Sequence, residues 1–499
     1  MAVHSHRERS TAAVQHSLPN GDSTAQAGSR PVCMLRAASC LGLVAFERDA
    51  SPILCANLAI QSPPNRHSHP ATETMHEYLE LLRRRPHYRR LWIGRLVSNL
   101  GDWFNLLASA QLIASLTNSG SAISFLFLAR FLPIFLATPF AGVLADRINR
   151  RAILVATDLL RAFTVLGFLL IRDVSQIWLF YALTALQFTL SALYNPAHSA
   201  ILANVVEPDE LVVANTLDGF TWSTMLALGA LLGGVAAAVF GVQVAFVIDA
   251  TSFLVSAAFV SRVQMVYAAP RAAEAEVVQG GFLDFLDGLR YLKVHRLLLG
   301  LALAKAAGSL IWGAINVLEI PLSNDIFPLR GSGTLTLGII YALVGIGTGA
   351  GPIFLRAWLG DAPRALLRAI GIGFILLTIG ALGIGLAPAL WVVFVSITLR
   401  AVGSGAIWVF SASLLIGAVE DRFRGRVLAF EFTTLTLAES IGTIYGGFAL
   451  DRLGWSVQQS MLVVAAGSVV VTAIWYLFGL RAQAAVARGA LRTPQRAPV

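Results

Sequence analysis

Twelve apolar stretches, each near the ~20 residues an α-helix needs to cross a bilayer, follow one another along this chain and leave almost no room for a soluble surface. They fall at 91–114, 122–145, 152–171, 176–203, 213–240, 243–263, 297–321, 335–358, 366–387, 389–417, 427–449 and 459–480. Only 13% of the 499 residues are charged, against about 25% in an average soluble domain. The sequence predicts an all-α polytopic membrane protein of twelve transmembrane helices.

The net charge of +9 does not mark a nucleic-acid binder, because the basic residues sit in short loops between the apolar runs. Counted on alternate sides, one side holds 23 Lys and Arg and the other only Arg172, Arg330 and Arg452. That asymmetry predicts an even number of crossings in a bacterial inner membrane, with both termini cytoplasmic. Cys33, Cys40 and Cys55 all precede the first apolar run. An odd count without partner ligands gives neither a disulfide framework nor a metal site.

Residues 1–74 are polar, rich in Ser, Pro, Ala and His, and carry no secretory signal. They read either as a disordered cytosolic tail or as sequence upstream of a true start at Met75. Two groups of six helices follow, at 75–263 and 297–480, and residues 481–499 form a cytoplasmic tail. The linker at 264–296 places Phe282, Phe285, Leu286, Leu289 and Leu292 on one helical face, which predicts an amphipathic helix on the membrane surface. A shift of 213 residues carries Glu207 onto Glu420, Asp218 onto Glu431, and Gly229, Gly233 and Gly234 onto Gly442, Gly446 and Gly447. Duplication of a six-helix unit puts a substrate site between the halves, although small residues four apart also serve plain helix packing.

Charges inside apolar helices are costly and seldom face lipid. Arg95, Ser98, Asn99, Asp102, Asn105 and Ser109 form one polar stripe, as expected of a helix lining a cavity. At ~1.5 Å per residue, Asp102 and Arg130 lie at matching depth, as do Arg400 and Glu439; each couple is expected to pair. Asp158 and Arg161, three apart, read as a structural pair. Asp218 and Glu431 lie nearer the cytoplasmic ends. Lys305 finds no depth-matched partner in its own half, so it is expected to snorkel or to touch substrate.

Between the second and third runs stands Gly142-Val-Leu-Ala-Asp146-Arg147-Ile-Asn-Arg150-Arg151. This loop resembles the major facilitator signature G-x-L-A-D-R-x-G-R-R, with Asn149 in place of the second Gly. Arg95-Leu-Val-Ser-Asn-Leu-Gly-Asp-Trp103, Leu-Ala-Arg130-Phe-Leu-Pro133 and Asn215-Thr-Leu-Asp-Gly219 resemble the drug-and-siderophore exporter branch. Gly229-Ala-Leu-Leu-Gly-Gly234 is similar to the antiporter motif G-P-x-x-G-G, with Ala230 replacing Pro. The resemblance implies the major facilitator fold of two six-helix bundles. It also implies that Gly142, Asp146, Arg147 and Arg150 act in the conformational switch.

Neither Lys293 nor Lys305 follows a Gly, so no nucleotide-binding lysine is present. Gly345-x-Gly347-x-x-Ala350 lies within an apolar helical run rather than after a strand, and carries no such meaning. No His, Ser or Cys constellation suggests an enzyme, and no cofactor or metal is implied. The expected function is export of amphipathic small molecules by alternating access and proton antiport. Arg95, Asn99, Asp102, Arg130, Asp218, Arg400 and Glu439 serve the cavity or the proton path in this reading. The expected partners are a small-molecule substrate, the lipid bilayer and a proton gradient, with the chain a monomer. Import or uniport, and a transporter-like receptor that moves nothing, are the alternatives.

Overall fold

The computed structural model describes residues 71–487 except 118 and 267–281. Every regular element among them is a helix. In chain order these are α1 (Ala71–Arg84), α2 (Pro86–Thr117), α3 (Gly120–Arg147), α4 (Arg150–Gly167), α5 (Ile177–Leu202), α6 (Leu211–Phe240) and α7 (Val242–Val260). Then come α8 (Phe282–Val294), α9 (Arg296–Pro321), α10 (Gly333–Leu359), α11 (Pro363–Gly385), α12 (Leu390–Ala418), α13 (Asp421–Asp451) and α14 (Val457–Ala487). The first bundle is α2–α7 and the second α9–α14, as the sequence repeat and the loop signature lead one to expect.

Eleven of these helices are long and apolar enough to cross a membrane. The twelfth, α2, spans 32 residues but carries Arg95, Asn99 and Asp102 along one face. Its polar groups line the interior described below, so its composition differs from that of its neighbours. Local signals set the helix ends. Asn149 caps α4 by accepting from the backbone N–H of Arg151 and Ala152. Pro363 stands at the first turn of α11, and Gly360 closes α10 at φ 87°, a conformation other residues rarely hold.

Two helices lie outside the twelve. α8 falls within the 264–296 linker, and its Tyr291 ring stacks on Phe423 of α13 with centroids 4.4 Å apart. α1 covers part of a stretch that sequence analysis left without structure. It buries Leu81 and is followed by Arg85, whose Nε donates to Glu210 at 2.8 Å and whose Nη2 pairs with Glu207 at 2.6 Å. The hydrogen bond to Glu210 holds the Arg85 guanidinium above its ordinary range. Residues 1–70, 267–281 and 488–499 lie outside the described residues, and with them most of the 1–74 segment and much of the linker and tail.

The repeated glycines form close helix seams, four within the bundles and two between them. In α6, Gly229 faces Trp103 and Gly233 meets the Phe104 backbone, both on α2 of the same bundle. Gly234 instead turns to the other bundle, where an added Cβ would stand 2.8 Å from Gly338 Cα and 2.9 Å from the Thr334 carbonyl. In α13, Gly442 and Gly446 pack on α9 in the same way. A Cβ at Gly447 would stand 2.7 Å from the Gly120 carbonyl of α3. Each half thus repeats one arrangement, with the last glycine of the motif at the crossing contact.

These seams lie toward the end of the bundle with few arginines. There Ser124 Oγ donates to the Thr443 carbonyl at 2.7 Å, and Thr334 Oγ1 to Gln111 Oε1 at 2.7 Å. Asp451 accepts from Ser119 Oγ at 2.6 Å and from the backbone N–H groups of Gly120 and Ser121 at 2.8 Å each. A carboxylate from one bundle thereby caps a helix of the other. Val317, Ile320, Leu337 and Tyr341 of the second bundle join the apolar core of the first at the same end.

Candidate functional site: a polar cavity inside the first bundle

The polar stripe of α2 opens onto a cavity of about 290 Å³. Arg95, Ser98, Asn99 and Asp102 line it from α2, Arg130 from α3, Arg161 from α4, and Phe188, Ser191, Tyr194 and Asn195 from α5. Trp103 and Trp222 add aromatic wall, and Trp222 on α6 is 51% exposed. α2 can hold this stripe because residues three and four apart share a helix face, while Leu106, Leu107 and Ile113 on its other faces pack into the core.

Supporting contacts fix the cavity's charged groups. Arg161 pairs with Asp158, and its guanidinium lies between the rings of Tyr194 at 4.5 Å and Phe253 at 4.3 Å. Asp158 also accepts from Ser256 Oγ at 2.7 Å. Arg130 rests over the Phe188 ring at 4.3 Å. Behind the wall, Asn105 Nδ2 donates to the fully buried Asp249 at 2.9 Å, and Ser109 Oγ to Asn105 Oδ1 at 3.2 Å. Asp218 lies 3.8 Å from His198, nearer the arginine-rich end.

Several sequence expectations change here. Asp102 and Arg130 share the cavity, but no direct ion pair joins them; the Arg130 side chain is occupied by the Phe188 ring. Arg400 does not pair with Glu439. It pairs with Glu319 at 2.8 Å, in a site where the two side chains are 3% and 0% exposed. Glu319 escaped notice because the apolar run ends near 321, whereas a π-helical turn over Leu322–Ile326 extends the helix and sinks Glu319 further inside. Lys305 does have a partner in its own half, Glu431 at 3.0 Å, and lies 4.7 Å from the Trp408 ring centre. α13 begins at Asp421, six residues before the apolar run suggested, which moves Glu431 about 9 Å deeper.

Glu439 is left apart. Its one hydrogen bond among the described residues comes from Asn316 Nδ2 at a long 3.5 Å. Gly142, Asp146 and Arg147 fall within α3, but their side chains lie outside the described residues. Arg150, next along the motif, donates to Asn204 Oδ1 at 2.9 Å and to the Ala200 carbonyl at 3.2 Å. It thereby ties the start of α4 to the end of α5. No cluster of three or more His, Cys, Asp or Glu fit to hold a metal occurs among the described residues.

A family model described as transmembrane secretion effector matches residues 82–497. The chain belongs to this branch of the major facilitator superfamily. It is 26% identical over 278 residues to BacE of Bacillus subtilis, named for bacilysin export, covering 55% of this chain and 67% of that protein. Macrolide efflux protein A of Streptococcus pyogenes is 21% identical over 386 residues, 75% of this chain and 92% of that protein. A bacterial homologue of the human lysosomal transporter Spinster, solved inward-facing and unoccupied, superposes with a TM-score of 0.64 at 14% identity. That likeness covers 79% of this chain and 96% of the other, and it concerns the fold alone.

For a major facilitator transporter, the charged groups of the two bundles divide clearly. In the second bundle Arg400 and Lys305 are each matched one to one with an acid in a buried pair. In the first, arginines and Asp102 face an open cavity. Arg161, which lines the cavity, and Glu319, which holds Arg400, are interior charges that sequence analysis did not select as site residues. The spacing of Arg161 to Asp158 reveals the pair, but not that the guanidinium also reaches the cavity.

Proposed function

We propose that this transporter exports small amphipathic molecules across a bacterial inner membrane, with its arginine-rich end and both termini in the cytoplasm. The observation that carries the reading is the placement of the cavity. Charged groups from α2, α3 and α4 converge within the membrane-spanning part of the first bundle, while the bundles are sealed to each other toward the arginine-poor end by Gly234, Gly447 and Asp451. With the arginine asymmetry setting the orientation, this is a state loaded from the cytoplasm. Relatives named for bacilysin export and macrolide efflux favour the outward direction.

Inward proton flow drives the cycle in this reading, with Asp102 and Glu439 as the carriers. An acid already held by a cation must break that pair to take up a proton, whereas Glu439 and Asp102 have no such pair among the described residues. Coupling requires substrate and proton to bind the two conformations with different free energies. The test is export from a pump-deficient host and from proteoliposomes with an imposed proton gradient, across a panel of antibiotics and siderophores. Gradient-dependent efflux of at least one compound is expected. Uptake only, or movement indifferent to the gradient, rejects the reading.

A further inference from the structure

The wall of the first-bundle cavity offers more donors than acceptors. Arg95, Arg130 and Arg161 reach it, against a single carboxylate, Asp102. Arg161 is matched by Asp158, which is fully buried behind the wall. Asp249 is turned to Asn105, and Asp218 to His198. Arg95 and Arg130 form no ion pair among the described residues. Independently, Asn99 Nδ2 and Arg161 Nε are buried N–H donors without an acceptor. Two guanidiniums without an ion pair and orphan donors, set against one lining carboxylate, leave the cavity wall short of acceptor atoms among the described residues. Unsatisfied donors are costly away from water, and an entering carboxylate supplies the acceptors.

From this we infer that the cavity recognises a carboxylate-bearing amphipathic molecule. Its anionic end lies between Arg95, Arg130 and Asn99, and its apolar body against Trp103, Phe188 and Trp222. Guanidinium forks suit a planar carboxylate, and aromatic walls supply apolar contact without further charge. The inference rests on the export reading and names the substrate class of the same site.

The test uses the full chain in lipid nanodiscs and three probes of one shape: 4-phenylbutyrate, 4-phenylbutanamide and 4-phenylbutylamine. Titration calorimetry on the wild type is expected to show the anion binding at least tenfold more tightly than the amide or the amine. In Arg130→Gln and Arg95→Gln, anion affinity falls about tenfold, toward that of the amide. Equal or tighter binding of the amine, or no binding of any probe, overturns the proposal on the wild type alone, whatever the stability of the variants. If the anion binds selectively but is not moved by a gradient in proteoliposomes, the carboxylate site stands and the export reading fails. If efflux occurs without charge preference, export stands and the carboxylate site falls.

Discussion

Glu319 of α9 and Arg400 of α12 form an ion pair at 2.8 Å with almost no exposure to solvent. Among the described residues, neither Glu319 Oε2 nor Arg400 Nε has a further partner. A pair so placed contributes little net stability, yet breaking it by removing one partner leaves a bare buried charge. Glu319→Gln or Arg400→Met alone is expected to cost about 3–5 kcal/mol, read as a lower melting temperature and poorer yield in detergent. The double variant Glu319→Met with Arg400→Met is expected to recover most of that loss. A double variant as unstable as the sum of the singles would show that the two residues act independently.

Asp451 reaches across the bundle interface to the start of α3, where it meets Ser119, Gly120 and Ser121. The contact can exist only while the arginine-poor end is closed. In a background without Cys33, Cys40 and Cys55, Ser119→Cys with Asp451→Cys is expected to cross-link under mild oxidation and stop transport, and reduction is expected to restore it. Cross-linking that leaves transport intact would mean that this end does not open during the cycle.

Arg85 joins α1 to the α5–α6 connection through Glu207 and Glu210. These groups are partly exposed, so the clamp is worth at most about 1 kcal/mol. Arg85→Ala is expected to leave the melting temperature nearly unchanged while speeding proteolytic cleavage near residue 85. The raised guanidinium pKa keeps Arg85 charged throughout the ordinary pH range, so the guanidinium's own contribution is fully present below its unfolded-state pKa and deprotonation of Arg85 removes it only in strong alkali. Unchanged cleavage would show that Leu81 and its neighbours hold α1 without the clamp.

The crossings were legible because apolar runs and arginine-bearing loops obey a solvent constraint that acts on each segment separately. Interior pairing was less legible, since it depends on where each helix starts and stops. A π-helical turn after Pro321 and six further residues at the start of α13 were enough to assign Arg400 and Lys305 the wrong surroundings. The α2 stripe was readable because all its polar residues share one helix face. The role of Arg161 was not, because its pairing with Asp158 accounted for its charge without revealing that the guanidinium also reaches the cavity. α1 lacks the length and hydrophobicity that make a membrane helix conspicuous.

The last prediction concerns coupling, and it turns on which acids are free to take a proton. Glu319 and Glu431 are held by Arg400 and Lys305, so protonating either must break a buried ion pair. Among the described residues, Glu439 has only a long contact from Asn316, and Asp102 faces the cavity without an ion pair. Its repeat equivalent, 213 residues earlier, is Leu226, so Glu439 is not a device that both halves need for packing. Glu439→Gln or Asp102→Asn is therefore expected to abolish efflux against a gradient while leaving substrate binding and passive exchange measurable in proteoliposomes. A packing role would instead reduce expression, or remove uphill and downhill movement together. If both single variants still pump uphill, neither acid carries the proton. Asp249, whose carboxylate accepts only from neutral Asn105 among the described residues, is then the next candidate before the paired acids.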